Sequence, residues 1–337
     1  MSSTRSGSGG RPTETGPGSD TGTGSRSGSS GPSFDPYETL PELVPLRSAA
    51  RQGHWPAVQA YFTSLDSTEK VSYAVGLLAE TADVERMLEK AVADRPADPL
   101  PRTLLADRYV RIGWGIRSDL RAKHVSQEQF DQFHDWLRRA EQILIDVCAE
   151  QPAYAPAWTV RLITARGLSL GQSEARRRYD RLTAHHPHHY PAQMQLLQQL
   201  CPKWGGSWDA AHGFAREAAA AAPDGSHAGA LVALAHLEHW LELDGGEAGA
   251  YMRGLPVRDD LRFAAQVSVL HSDHRAGWYG IGAHSAFALA FSLGGHFEDA
   301  LPHFTALGDR ASDFPWSYLP NPKSAFVKYR KSALATL

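Results

Sequence analysis

Cysteine is nearly absent from this chain. The two in 337 residues, Cys148 and Cys201, fall inside or at the end of predicted helices and far apart in sequence. That argues against a disulfide framework and for buried, reduced thiols. Long apolar runs are missing as well. The most apolar stretch, 283–293, is interrupted by His284 and Ser285 and falls short of the roughly 20 residues that span a bilayer. No apolar signal-peptide core follows Met1, so a cytoplasmic protein is expected. Nor is there a surplus of either charge. Thirty-four Lys and Arg face 37 Asp and Glu, for a net charge of −3, which points to neither nucleic acid nor an acidic membrane. Residues 1–33 lack any apolar side chain after Met1 except proline rings, and a segment that cannot bury surface is expected to be a disordered tail.

The common catalytic signatures are missing too. No GxSxG elbow or HExxH pair occurs, and neither cysteine has a histidine beside it in sequence. Gly277, Gly280 and Gly282 have the wrong spacing for a phosphate loop and follow no predicted strand. The expectation is therefore a binding protein without catalytic residues or cofactor. Abundant Ala, Arg, Gly and Pro with little Lys suggests a GC-rich bacterial genome.

What the chain does contain is a repeat. Ala140, Ala175 and Ala211 are each followed twelve residues later by a proline, Pro152, Pro187 and Pro223, and Val84 stands in the same relation to Pro96. The residues four and seven after each key position form one stripe: Leu144 and Val147, Tyr179 and Leu182, Ala215 and Ala218. A small residue lets two helices approach closely, and the proline stops the second helix of each pair. Helices are predicted over 100–112, 127–150, 155–168, 173–184, 190–200, 207–221 and 227–243. The stripe without its proline recurs at Val58 and at Ala300, where Phe304 and Leu307 complete it. A step of about 34 residues, one helical hairpin each, predicts an all-α solenoid of about six hairpins over 34–312, with a capping segment at 313–337. The rhythm breaks twice, at 113–125, which reads as an inserted loop, and over 257–279, which reads as less regular.

These residues resemble the tetratricopeptide repeat (TPR) family. Phe287, Ala288, Phe291, Ala300, Phe304 and Leu307 look like its pattern in the last copy, as do Ala175, Tyr179, Leu182 and Pro187 in the middle. The run from Cys201 to Ser207 with Phe214, Ala215 and Arg216 resembles a signature of an uncharacterised bacterial family of TPR-like proteins. The resemblance implies a TPR-like α-α superhelix and a protein or peptide partner held in its groove, with no nucleic acid or membrane partner. Ser312 stands where the pattern has proline, and several copies lack its position-8 glycine.

Candidate binding residues lie where the rhythm breaks. Arg108, Arg111 and Arg117 surround Trp114 in the most basic neighbourhood, suited to an acidic peptide or a carboxylate terminus; the alternative is a solvated helix end. Trp204 and Trp208 flank Gly205-Gly206, either as exposed anchors for a partner or as a lid on their own hairpin. Sixteen histidines are an excess. His236 and His239, and likewise His271 and His274, sit at i, i+3 and together suit a metal-ligand set, or else are ordinary polar side chains; this supports a second reading, a metal- or small-molecule-binding regulator. The run His185, His186, His188 and His189 reads as a polar link. Arg176, Arg177 and Arg178 read as a solvated helix face.

Overall fold

The computed structural model describes residues 31–117 and 125–337. The tail expected over 1–33 lies outside the described residues except for 31–33, as does 118–124 of the expected insertion. Among the described residues the fold is all-α. In chain order the helices are α1 (Pro36–Thr39), α2 (Val44–Arg51), α3 (Trp55–Thr63), α4 (Thr68–Ala79), α5 (Glu85–Asp94), α6 (Pro99–Arg117), α7 (Gln127–Glu150), α8 (Ala155–Gly167) and α9 (Gln172–Thr183). They continue with α10 (Tyr190–Leu200), α11 (Trp208–Ala221), α12 (Ala230–Glu242), α13 (Gly245–Arg253), α14 (Leu255–Val267), α15 (Gly280–Leu293), α16 (Phe297–Leu307), α17 (Asp313–Trp316) and α18 (Pro322–Leu334). No helix is long and apolar enough to cross a membrane.

Local chemistry sets the boundaries. Ser67, Ser126 and Ser207 each accept a backbone N–H of the following first turn, and Ser126 and Gln129 form a reciprocal capping box. The repeat prolines fall just past helix ends: α5, α7 and α11 stop two residues before Pro96, Pro152 and Pro223. Val58, Val84, Ala140, Ala175, Ala211 and Ala300 are buried, and so are their partners at +4 and +7 except Leu65, which is half-buried. Each helix packs on those one or two places along the chain, as in α6 on α7 and α8, or α10 on α8, α9 and α11.

Three expectations need correction. The insertion does not begin as a loop, because 113–117 is the last turn of α6. The stretch 257–279 is irregular only in its second half: 257–267 belongs to α14, and 268–279 runs through turns to the start of α15. Arg178 is also not on a solvated face: it is 2% exposed, whereas Arg176 and Arg177 point outward. Its guanidinium and that of Arg161 both reach Glu141, at 2.7 and 2.8 Å, and Thr164 donates to the same carboxylate. This buried group ties α7, α8 and α9 together.

The beginning of the chain lies on its middle and its end. Helix α4 packs on α8 and α10 as well as on α6. Ser72 meets His189 at 3.0 Å, Glu69 accepts the Tyr190 N–H, and Tyr73 packs edge-on against Trp278 and Tyr279. Trp278 donates to Glu42 at 2.9 Å. Ser33 pairs with the backbone at 309 and 311, both bonds 2.8 Å. At the far end, α18 buries Phe326 against Trp316 and Phe304.

The turn at Gly205-Gly206 requires glycine at both positions for different reasons. Gly205 has φ +82°, and a Cβ on Gly206 would lie 1.9 Å from the Leu200 carbonyl oxygen. Gly206→Ala is expected to lower stability by about 3 kcal/mol, a backbone clash that repacking cannot relieve. Gly205→Ala should cost about 1–2 kcal/mol, the left-handed penalty alone. Urea unfolding of the two variants checks both the order and the sizes.

Candidate functional site

A cavity of about 740 Å³ opens where α4, α6, α8, α10, α12 and the start of α15 face one another. Its walls are largely apolar, with Val160, Ile163, Met194, Leu234, Tyr279 and Phe314 among them, and its charged groups gather in two places. The size is that of an ordinary ligand site, about 300–1,000 Å³.

The first charged group sits on α6 and at the end of α4. Asp107 and Arg111 stand one turn apart on α6, which puts them on one face. Arg111 reaches Glu80 at 3.2 Å and Asp107 at 3.5 Å, the second too long for a hydrogen bond. Asp107 Oδ1 and Arg111 Nε are both buried without a hydrogen-bond partner. Burial pushes the Asp107 carboxyl up to about 6 against the pull of Arg111.

The second group centres on Glu238, 1% exposed on the largely apolar α12. Lys203 Nζ stands 2.5 Å from it, and Gln198 Nε2 and the Tyr318 hydroxyl both donate to it. Tyr318 thereby fastens the C-terminal segment over the cavity. Between the two groups lies Arg166, which donates to the carbonyl and side-chain oxygens of Gln195 at 3.3 and 2.9 Å. Burial pulls its guanidinium down to about 10.

The residues singled out from sequence are distributed unevenly over this geometry. Arg111 lines the cavity. Arg108 does not: it bonds to Glu85 at 2.7 Å and to the Ala79 carbonyl, holding α6 to its neighbours. Trp114 and Trp204, 90 residues apart, meet edge-on at 6.0 Å. Arg117 stands over Trp114 and Arg166 over Trp204. Both tryptophans are half-buried, and Trp204 is fixed by Gln172 and Gln199 on its carbonyl.

Trp208 stacks on His239 at 4.4 Å. His239 belongs to a hydrogen-bonded chain with His212, Tyr251, His236 and Asp260. Burial works against Asp260, but His236 and Arg216 together hold its carboxyl at about 2. Ionised Asp260 accepts the His236 Nε2–H at 2.9 Å, which leaves His236 Nδ1 to accept a hydrogen bond from the Tyr251 hydroxyl at 2.6 Å. His271 and His274 belong to another network, with Asp224, Asp273 and the Gly225 carbonyl. The two histidine pairs thus do not share partners, and among the described residues no group of three or more His, Cys, Asp or Glu is arranged to hold a metal ion.

Compared with protein-family models, curated proteins and solved structures, the chain matches none.

Sequence reading singled out none of Arg166, Asp107 and Glu238. A signal was available: each acid interrupts an apolar helical run, Leu104-Leu105-Ala106 before Asp107 and Ala233 to Leu237 before Glu238 except for His236. Buried acids require partners. Ser72 and His189 have the look of a nucleophile and its base. However, His189 Nδ1 is buried with no partner, and burial drives the imidazole down to about 3. An unmatched acceptor costs less than an unmatched N–H, so Nε2 carries the hydrogen and donates to Ser72. Ser72 is then an acceptor in a seam, not an activated hydroxyl.

Proposed function

We propose that this is a TPR-like helical-repeat binding protein, and that its cavity receives a short segment of a partner protein. The observation that carries the reading is the cavity itself. It is formed by helices from successive hairpins, it combines apolar walls with fixed charges, and it has the volume of a ligand site. A rigid, preformed site lowers the ordering cost of binding. The beginning and end of the chain cover part of the inward face, through Tyr73, Trp278 and Tyr318. That leaves room for a few residues of extended chain in place of a long helix. Binding, not turnover, fits the acids, which stand against arginine, lysine and tyrosine. Trp114 and Trp204, adjoining Arg166, form the rim.

The test is capture of partners from the native cell on immobilised full-length protein, followed by binding measurements with the partner recovered. Met194→Trp fills the cavity and is expected to weaken binding about tenfold or more, a loss of at least about 1.4 kcal/mol. Arg176→Ala, at an exposed pair with Asp180, should leave it unchanged. Equal binding by Met194→Trp and wild type would place the partner elsewhere.

A further inference from the structure

At one pole of the cavity the charges do not balance. Glu80 and Asp107 share one cation, Arg111, at 3.2 and 3.5 Å. Two carboxylates stand against one guanidinium; the Glu80 side chain is 59% exposed and solvated, so the charge that water does not reach is that of Asp107, 2% exposed. The longer contact joins Arg111 Nε to Asp107 Oδ1 itself, an ion pair in which neither atom completes a hydrogen bond. A buried, unmatched carboxylate oxygen is costly, and α6 holds it on the cavity wall.

We propose that this pole binds the primary ammonium group of a ligand whose apolar body lies against Val160, Ile163 and Met194. This rests on the binding reading given above. The ammonium donates a hydrogen bond to Asp107 Oδ1, and its charge brings the Glu80–Arg111–Asp107 group to neutrality. No covalent step is involved. A guanidinium fits less well. It presents paired N–H groups that match both oxygens of one carboxylate, whereas here a single oxygen is orphaned and Arg111 already occupies one side. A hydroxyl or amide satisfies the oxygen but leaves the charge uncompensated. The raised pKa of Asp107 agrees with this, since a proton is the alternative way to neutralise the same pole. The shared chemistry has two sources, the N-terminus of a polypeptide or a free amine.

The test uses full-length protein and a lysine-free library of C-terminally amidated tripeptides, supplied with free and with acetylated N-termini, beside hexylamine and phenethylamine. Retained ligands are weighed by affinity selection and mass spectrometry, and affinities follow by calorimetry. Free-amine members should be retained about 10- to 100-fold better than their acetylated counterparts, the worth of one charge-assisted hydrogen bond. Asp107→Asn should abolish that preference while its melting temperature stays at or above that of wild type, because the substitution removes an uncompensated buried charge. Glu80→Gln should reduce the preference without abolishing it. Enrichment of the simple amines identifies a small-molecule source; enrichment of peptides alone identifies a polypeptide N-terminus. Acetylated members binding as well as free ones, with loss of both in Met194→Trp, would overturn the ammonium assignment and leave the cavity reading standing. Binding of free amines that survives Asp107→Asn also overturns the assignment. Retention of no member by wild type overturns both.

Discussion

At pH 5 the protein is expected to be about 6 kcal/mol less stable than at pH 7, and therefore to unfold or nearly so, given the usual 5–15 kcal/mol of total stability. The cause is a set of histidines buried in the neutral form. Burial drives His189 and His212 down to about 3 and His284 to about 4, and holds His303 well below its ordinary value. Each is at most 9% exposed. The sign follows from which state takes up the proton. In the unfolded chain these imidazoles titrate near 6.5, and in the fold burial keeps them neutral well below that pH. Stability is thus complete above about pH 6.5 and is lost as pH falls towards the folded values, because only the unfolded state gains protons. Between pH 7 and 5 each such histidine costs about 2 kcal/mol, and the four together about 7–8. Asp107 acts in the opposite sense: its carboxyl is raised, so the folded state takes a proton first and recovers about 1.4 kcal/mol over the same interval. Asp260, held at about 2, begins to matter only below pH 4. Urea midpoints at the two pH values measure the difference. His303→Phe, in a site where the ring already stacks on Phe287 and Phe291, should remove about 2 kcal/mol of the pH dependence whatever it does to stability at pH 7. A midpoint that does not move between pH 7 and 5 would contradict the neutral, buried state of these side chains.

These histidines also show what a sequence reveals and what it conceals. Local features were legible. The spacing from Ala140 to Pro152 and its copies marked buried stripes and helix ends, because both depend on residues within a few turns of each other. Helix α10 could be read to the residue from the proline-bounded link before it. Arg178 was legible in principle: it lies three residues after Ala175 and four before Leu182, on the stripe that is buried. Helix α13 was hidden by Gly245, Gly246 and Gly249, poor helix formers that neighbouring helices override. Contacts such as Ser72 with His189 and Tyr73 with Trp278 join residues more than 100 positions apart, and periodicity carries no information about such pairs. The cavity depends on those contacts. Its charged residues could be recognised as misfits in apolar helices, but which of them face one another could not.

Glu141→Ala is expected to lower stability by about 3–5 kcal/mol, the cost of leaving buried charge unpaired. One carboxylate on α7 serves Arg161 on α8 and Arg178 on α9, and Thr164 donates to it as well. Arg178 has a second carboxylate, Glu174, at 2.7 Å, and its Nη1 also reaches the Arg161 carbonyl at 2.6 Å. Arg161 depends on Glu141 and on the face of Trp158. Removal of Glu141 thus strands Arg161 more than Arg178, and the two guanidinium groups are left facing each other in a dry site. It follows that Glu141→Ala should cost more than Arg161→Met, and that Arg161→Met added to Glu141→Ala should restore part of the loss, since it removes a charge that has lost its partner. Denaturant unfolding of the two single variants and the double variant closes the cycle. If the double variant is as unstable as the sum of the singles, the two residues do not act as one network. The result bears on binding as well, because α8 carries both Arg161 and, five residues on, Arg166 of the cavity wall. A group that locks α8 between α7 and α9 fixes the position of Arg166, so variants that loosen it should weaken ligand binding even though none of these side chains touches the cavity.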